Sequence, residues 1–267
     1  IFGHSVDKMR RAFGRKLAQE SPAKNGVAAG KAIEDKIVEL QERQQNVRII
    51  FAAAPSQDTM LDYLSRSNKI DWKKIIAFNM DEYLGLPKKA PQLFANYLEE
   101  NLFSKVGVKE KHLINPWNDV ADEIDGFSQL ITMHKIDIVC LGIGENGHIA
   151  FNDPPVADFG DSQILKKVVL DDDCRLQQVH DACFEAIEEV PTTALTLTIP
   201  TLLNGRFLYC VVVGDKKGLA VKNTLRGPIS TSCPASILRK HPHCMFYFDK
   251  AAYKVTKESM QYINLNK

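Results

Sequence analysis

Six short apolar runs, separated by segments with helical spacing, constrain the fold of this chain most strongly. They span residues 46–54, 74–78, 136–141, 194–199, 207–213 and 244–248. Runs that are apolar on both faces and alternate with helices are typical of a parallel sheet covered on both sides. The sequence therefore predicts an α/β fold with an open, mainly parallel, Rossmann-like sheet and helices on both faces.

The chain length is compatible with one large hydrophobic core. The chain has 267 residues, and single α/β domains of roughly 200–250 residues are common. We therefore expect residues 1–267 to form one domain. Up to about residue 45 the apolar side chains recur at spacings of three and four, which predicts a helix. The polar, acidic stretch 154–176 is expected to be a mobile flap.

Composition and charge exclude several functional classes. The formal net charge is +1, which gives no field that would attract nucleic acid. No apolar run approaches the roughly 20 residues that span a bilayer, and the first residues do not resemble a signal peptide. A cytoplasmic protein with no membrane partner is expected. The six cysteines form no Cys-x-x-Cys pair, so we expect reduced thiols and no metal site.

Three of the predicted strands are followed directly by unusual loops, at residues 53–59, 79–83 and 142–148. In an open parallel sheet, ligands bind beyond the carboxyl ends of the strands. The sequence therefore predicts a functional site where these three loops meet.

The segment 141–153, Leu-Gly-Ile-Gly-Glu-Asn-Gly-His-Ile-Ala-Phe-Asn-Asp, offers an imidazole, His148, among three glycines. Such glycines let the backbone turn sharply and approach a ligand closely. A purely structural turn, with His148 bonded to the backbone, stays open from composition alone. A dinucleotide site is not indicated, because no acidic residue ends a strand about 20 residues further on.

The segment 78–86, Phe-Asn-Met-Asp-Glu-Tyr-Leu-Gly-Leu, places two carboxylates at the end of a predicted strand. A partly desolvated carboxylate there has a raised pKa and can act as a general base. The alternative is that Asp81 or Glu82 caps the next element.

Segments 78–86 and 142–153 together resemble the glucosamine-6-phosphate deaminase (isomerase) family. The resemblance continues through 190–196, 201–203 and 214–220, and covers about residue 47 to the end of the chain. The related 6-phosphogluconolactonases usually carry Gly-His-Thr-Ala-Ser, whereas this chain has Gly-His-Ile-Ala-Phe-Asn at 147–152. That difference favours the deaminase branch.

The resemblance implies deamination with aldose–ketose isomerisation of a hexosamine 6-phosphate, without a metal or an organic cofactor. Asp81 matches the base that moves a proton between C2 and C1, and His148 matches the group that opens the sugar ring. Asp153 stands in place of an acidic partner of that histidine, which is usually Glu. Asn146 stands where relatives have Asp or Asn.

The same resemblance assigns the substrate phosphate to Lys217 and to the loop residues Ser56, Gln57 and Thr59, although Lys216 leaves the lysine ambiguous by one residue. That loop lacks the family's usual glycines. The family's arginine upstream of Val190 has no clear counterpart in the region that holds Arg175, Gln177, Gln178 and His180. The sugar epimer, glucosamine or galactosamine 6-phosphate, therefore stays open.

Two further functions remain as alternatives. One is a lactonase or an isomerase of another sugar phosphate, which would keep His148 without using Asp81 as a base. The other is a sugar-phosphate sensor without turnover. The family includes monomers and hexamers, so a homo-oligomer stays open as well.

Overall fold

The first helix in the described part of the chain covers one face of the main sheet. The computed structural model describes residues 22–265, with side chains from 24 to 257. Helix α1, Pro22–Gln41, buries Ala29, Ile33, Ile37 and Leu40, as their spacing predicts. The earlier part of the predicted helix, and the comparison with a signal peptide, fall outside the described residues.

Six parallel strands within the described part of the chain form the main sheet, in the order β4-β2-β1-β5-β8-β9. These strands are β1 Val47–Phe51, β2 Ile75–Asn79, β4 Glu110–His112, β5 Ile138–Leu141, β8 Phe207–Val212 and β9 Cys244–Phe248. Five of the six predicted apolar runs coincide with strands of this sheet.

Helices pack on both faces of the sheet. The described helices after α1 are α2 Asp58–Ser65, α3 Phe94–Leu98, α4 Val120–Thr132, α5 Asp172–His180, α6 Ile199–Leu203, α7 Gly218–Arg226 and α8 Lys250–Leu265. Strand β1 shows the two faces, because Ile50 packs in one core cluster, with α4 and α7, and Ile49 packs in another, with α1 and α2. Alternate residues of a strand point to opposite faces, so both faces are apolar. The predicted fold class is confirmed.

A second sheet is antiparallel and has three strands in the order β3-β7-β6. They are β3 Asp81–Tyr83, β6 Leu165–Val169 and β7 Thr193–Leu197. The assignment of 194–199 to the parallel sheet was therefore wrong. Four of the five β7 residues are buried, and a strand buried on both faces has the same apolar pattern in either sheet type. The stretch expected to be a mobile flap holds β6 and the first turn of α5.

The chain changes direction across the main sheet between β1 and β5. From β1 it proceeds through β2 to β4 on one side, and from β5 through β8 to β9 on the other. Between two such halves, the loops that follow the adjacent strands diverge and leave a crevice at their carboxyl ends. The loops after β1 and β5 flank this crevice.

The six cysteines are free thiols, as expected from their spacing. Four of them, Cys140, Cys174, Cys210 and Cys233, are buried. Among the described residues, no helix has the length and apolar character required to cross a membrane.

Candidate active site

A cavity of about 500 Å³ opens at the crevice between β1 and β5. Its walls include Ser56 after β1, Asp81 after β2, His148 after β5 and Lys217 after β8. Four sequence-predicted residues, each from the segment after a different strand of the main sheet, thus line one cavity. The expected meeting point of the loops coincides with this cavity.

Asp81 is held at the cavity wall by the start of the second sheet. Its backbone pairs with Thr196 of β7, and its carbonyl accepts a hydrogen bond of 2.9 Å from Nδ2 of Asn79. The side chain is only 6% exposed. Burial, and to a lesser extent the nearby carboxyl groups of Glu82 and Asp153, raise the pKa of Asp81 well above its ordinary value. A carboxylate in this environment is a strong base.

Glu82 has a structural task that separates it from Asp81. Its carboxylate accepts backbone N–H bonds from Tyr83 at 2.9 Å, Phe94 at 3.0 Å and Ala95 at 2.8 Å. The last two N–H groups belong to the first turn of α3, where no residue of the helix can pair them. Glu82 therefore caps α3, which agrees with the alternative that Asp81 or Glu82 caps the next element. Burial raises the pKa of Glu82 to about 7, although these three donors favour the charged form.

His148 lies between the cavity and a buried carboxylate. Its Nδ1 is 2.8 Å from Oδ1 of Asp153, and the same oxygen accepts a 2.9 Å hydrogen bond from Nδ2 of Asn146. Asn146 also accepts a hydrogen bond from the backbone N–H of His148 at 3.0 Å. Burial alone would raise the pKa of Asp153, but the adjacent His148 and the bond from Asn146 outweigh it, so this pKa is lowered. The structure thus brings these three predicted residues together.

The glycine-rich loop fits closely around the imidazole. A Cβ on Gly144 would overlap the ring of His148, and one on Gly147, where φ is +89°, would lie 2.7 Å from Sγ of Cys233. Ala150, at the cavity wall, has φ of +48°, a value that costs a non-glycine residue about 1 kcal/mol or more. The loop is therefore shaped around His148 and is more than a generic turn.

The loop after β1 contributes one of its three predicted phosphate ligands to the cavity wall. Ser56 lines the cavity. Gln57 is fully buried behind it, and its Nε2 donates to Ser56 Oγ at 2.9 Å and to the carbonyl of Val211 at 3.2 Å. Thr59 is not at the cavity, because its side chain packs against Gly26 of α1. Gln57 thus holds Ser56 in place, and Thr59 belongs to a helix contact.

Lys217 is the member of the lysine pair that lines the cavity. It is 7% exposed, whereas Lys216 is exposed to solvent. Burial lowers the pKa of Lys217, an effect that the carboxylates of Asp181 and Glu145 oppose. Lys217 is the only lysine or arginine among the described residues that line the cavity.

Helix α5 supplies cavity residues that the sequence analysis did not assign. Gln177, Gln178 and, directly after the helix, Asp181 line the cavity. Arg175 instead donates to the carbonyls of Ile187 at 2.7 Å and Val190 at 3.2 Å. Arg175 therefore holds the segment before β7 and is not at the cavity. A helical wheel of this segment could have separated the side of the helix that carries Gln177 and Gln178 from the side that carries Arg175. Only the strand order shows which side meets the cavity.

Aromatic residues, which sequence reasoning also missed, form another part of the cavity wall. Phe94 and Phe151 both line the cavity, with ring centroids 5.4 Å apart in a stacked arrangement, and Tyr83 packs behind both. Phe94 lies in the helix that Glu82 caps. Apolar rings exclude water from the cavity and strengthen electrostatic interactions inside it.

Comparison with known proteins agrees with this geometry. The sequence profile of the family described as glucosamine-6-phosphate isomerases/6-phosphogluconolactonase matches residues 20–246. The chain belongs to this family. A glucosamine-6-phosphate deaminase of Listeria monocytogenes is 35% identical over 203 residues, which are 76% of this chain and 84% of the relative. Glucosamine-6-phosphate deaminase 1 of Giardia intestinalis is 36% identical over 200 residues, or 72% of each chain.

Solved structures of the glucosamine-6-phosphate isomerase/6-phosphogluconolactonase family share the fold. A monomeric glucosamine-6-phosphate deaminase of the NagB superfamily superposes with a TM-score of 0.81 at 27% identity, covering 88% of this chain and 97% of the other. A 6-phosphogluconolactonase of Thermotoga maritima superposes with a TM-score of 0.71 at 16% identity, covering 87% and 97%. At that identity the lactonase shows the common fold alone.

Proposed function

We propose that this protein converts a hexosamine 6-phosphate, of the glucosamine or galactosamine type, to a ketohexose 6-phosphate and ammonia. The observation that carries the proposal is that Asp81 and His148 line the same cavity in two different environments. Asp81 is desolvated and has a raised pKa, whereas His148 lies 2.8 Å from a buried carboxylate. Pairs of titratable groups in unlike environments are typical of divided acid and base roles.

His148 opens the sugar ring. Opening a pyranose removes a proton from the anomeric hydroxyl and delivers one to the ring oxygen, and an imidazole can do both in turn. The carboxylate of Asp153 stabilises the imidazolium that forms between the two transfers. Asn146 donates to Asp153 and accepts from the backbone of His148, so it fixes the orientation of both groups.

Asp81 transfers the proton that isomerises the open-chain sugar. Its carboxylate removes the proton from C2 while the aldehyde oxygen on C1 takes up a proton, giving an enolamine, and returns the C2 proton to C1 while the amino group loses a proton. The product is the imine of a ketohexose phosphate, in which the C–N bond is then broken by water, with release of ammonia. The desolvation of Asp81 increases its basicity towards a carbon acid. No other reactant is needed to balance the step.

Lys217 and Ser56 bind the substrate phosphate. A buried ammonium and a hydroxyl at the cavity wall are suited to a phosphate oxygen. Gln177 and Gln178 also line the cavity, where their amide N–H groups can supply neutral donors. Asp181, whose carboxylate partly opposes the lowering of the Lys217 pKa by burial, makes this end of the cavity less positive.

The reaction takes place in a single domain, in the cytoplasm. The family match over residues 20–246 supports one domain across residues 1–267. A doubly charged sugar phosphate does not cross a bilayer unaided, because the charge would have to be desolvated. We therefore place the reaction in the cytoplasm.

The experiment that separates this function from its alternatives measures three readouts on one purified preparation. They are ammonia release from glucosamine 6-phosphate and galactosamine 6-phosphate, hydrolysis of 6-phosphogluconolactone, and calorimetric binding of the same sugars. Ammonia from at least one epimer supports the proposal and identifies the sugar. Lactone hydrolysis without ammonia would establish the lactonase alternative, and binding without either product would establish a sensor.

A further inference from the structure

Three different metal-ligating side chains meet directly behind the cavity, and we propose that they form an inhibitory binding site for Zn²⁺. They are His148, Asp153 and Cys174, each buried. Their ligating atoms, an imidazole nitrogen, a carboxylate oxygen and the thiol sulfur, all lie within 4.8 Å of one another. This site uses a thiol from α5 that the proposed deamination does not require.

The three side chains are buried and contact one another directly. His148 is 8% exposed, and Asp153 and Cys174 are each 1% exposed. Nδ1 of His148 lies 2.8 Å from Oδ1 of Asp153, and the thiol of Cys174 donates a hydrogen bond to the Asp153 carboxylate. Buried polar groups are almost always paired, and here the partners are the other ligating groups, so a metal ion between them would exchange these contacts for metal–ligand bonds.

The ligand set selects the metal. Nitrogen, oxygen and thiolate sulfur together suit Zn²⁺, whereas Mg²⁺ and Ca²⁺ take oxygen ligands. Two zinc–ligand bonds of roughly 2.0–2.3 Å span at most about 4.6 Å, so three atoms within 4.8 Å of one another reach a common ion after small side-chain rotations. Three protein ligands leave a fourth tetrahedral position for water. The thiol loses its proton when the metal binds, so binding releases a proton.

Binding of Zn²⁺ would stop the imidazole from acting as a base. A metal on Nδ1 leaves the remaining ring proton on Nε2, and a ring in that state has no free lone pair to accept a proton. Asp153 and Cys174 are not part of the cavity wall, so the ion lies on the side of the ring away from the substrate. We expect turnover to fall while the KM changes little. This consequence rests on the proposed function, whereas metal uptake does not.

The test loads chelator-treated protein with Zn²⁺ alone and measures bound metal per chain. The same protein loaded with Co²⁺ is examined for a sulfur-to-metal charge-transfer absorption. Cys174→Ala removes the sulfur ligand. Cys183→Ala is the matched control, because Cys183 is another thiol near this end of the cavity but lies outside the cluster.

One Zn²⁺ per chain, with an affinity that falls by at least about 100-fold in Cys174→Ala and not in Cys183→Ala, would support the site, since loss of even an outer-shell partner costs 10–100-fold. Equal uptake by both variants, or none by the parent protein, would overturn it. X-ray absorption at the zinc edge of the unaltered protein needs no variant, and a shell without sulfur would also overturn the site. Zinc uptake without any ammonia release from either sugar would leave the site standing and refute the proposed function.

Discussion

The imidazole of His148 lies directly against the Cα of Gly144, so that a methyl group at that position would overlap the ring. Gly144→Ala should therefore displace His148 from the cavity wall. Misplacement of a catalytic group by about 1 Å can cost roughly 100-fold in rate, and we expect at least that loss of ammonia release.

Gly126→Ala is the matched control for Gly144→Ala. Gly126 lies on the exposed side of α4, and a Cβ there has no neighbour within 4 Å. Alanine in a helix interior is favoured over glycine by about 1 kcal/mol, so this variant should unfold at a slightly higher temperature and keep its activity. Circular dichroism checks that both variants are folded. Full activity of folded Gly144→Ala would refute the requirement for close packing.

Glu82 should make the stability of the protein depend on pH. Burial raises its pKa from 4.5 to about 7 in the folded state. The stability that this group contributes is fully present below pH 4.5 and is lost as the pH rises through 7. The shift corresponds to about 3 kcal/mol of unfolding free energy. Urea unfolding at a series of pH values from about 4.5 to about 8 measures this loss of unfolding free energy.

Glu82→Gln removes this titration while keeping the shape of the side chain. Its pH profile of unfolding free energy should be flatter than that of the parent protein by about 3 kcal/mol across the same interval. The comparison cancels the titration of all other groups. Parallel profiles for the two proteins would contradict the raised pKa of Glu82.

Lys217 should determine the affinity for the substrate phosphate. A hydrogen bond to a charged group contributes about 1.5–3 kcal/mol, so Lys217→Met should raise the KM by roughly 10- to 100-fold. Lys216→Met is the control, because the neighbouring side chain is exposed and outside the cavity. Steady-state kinetics on both variants would show which lysine binds the phosphate. A larger rise in KM for Lys216→Met than for Lys217→Met would reverse the assignment.

Asp181 should weaken phosphate binding. It lines the cavity near Lys217 and has the same sign of charge as the substrate phosphate. Asp181→Asn should therefore lower the KM by at least roughly threefold at low salt. The gain should shrink at high ionic strength, where charges are screened. An unchanged or raised KM would show that Asp181 has another task, such as orienting Lys217.

The sequence predicted the main sheet well because its strands are short apolar runs between helices. It could not reveal the second sheet, because β7 is buried on both faces and β3 has only three residues. Pairing in β3 depends on partners more than 110 residues further along the chain. No local pattern carries that information.

The candidate site was predictable where a residue lies in the segment that follows a strand of the main sheet. Asp81, His148 and Lys217 all meet this condition and line the cavity. Thr59 shares a loop with Ser56, but the first turn of α2 directs its side chain towards Gly26. Gln177 and Gln178 come from a helix between two strands of the second sheet, β6 and β7, so only the three-dimensional arrangement brings them to the cavity.

The central claim is that Asp81 moves the proton that leads to deamination, with His148 opening the ring. Its most direct test is ammonia release by the parent protein, Asp81→Asn and His148→Gln from whichever hexosamine 6-phosphate is turned over. General acid–base groups contribute roughly 100- to 10,000-fold to rate, and we expect each folded variant to lose at least 100-fold in kcat. Ammonia release by Asp81→Asn at the rate of the parent protein would contradict the account.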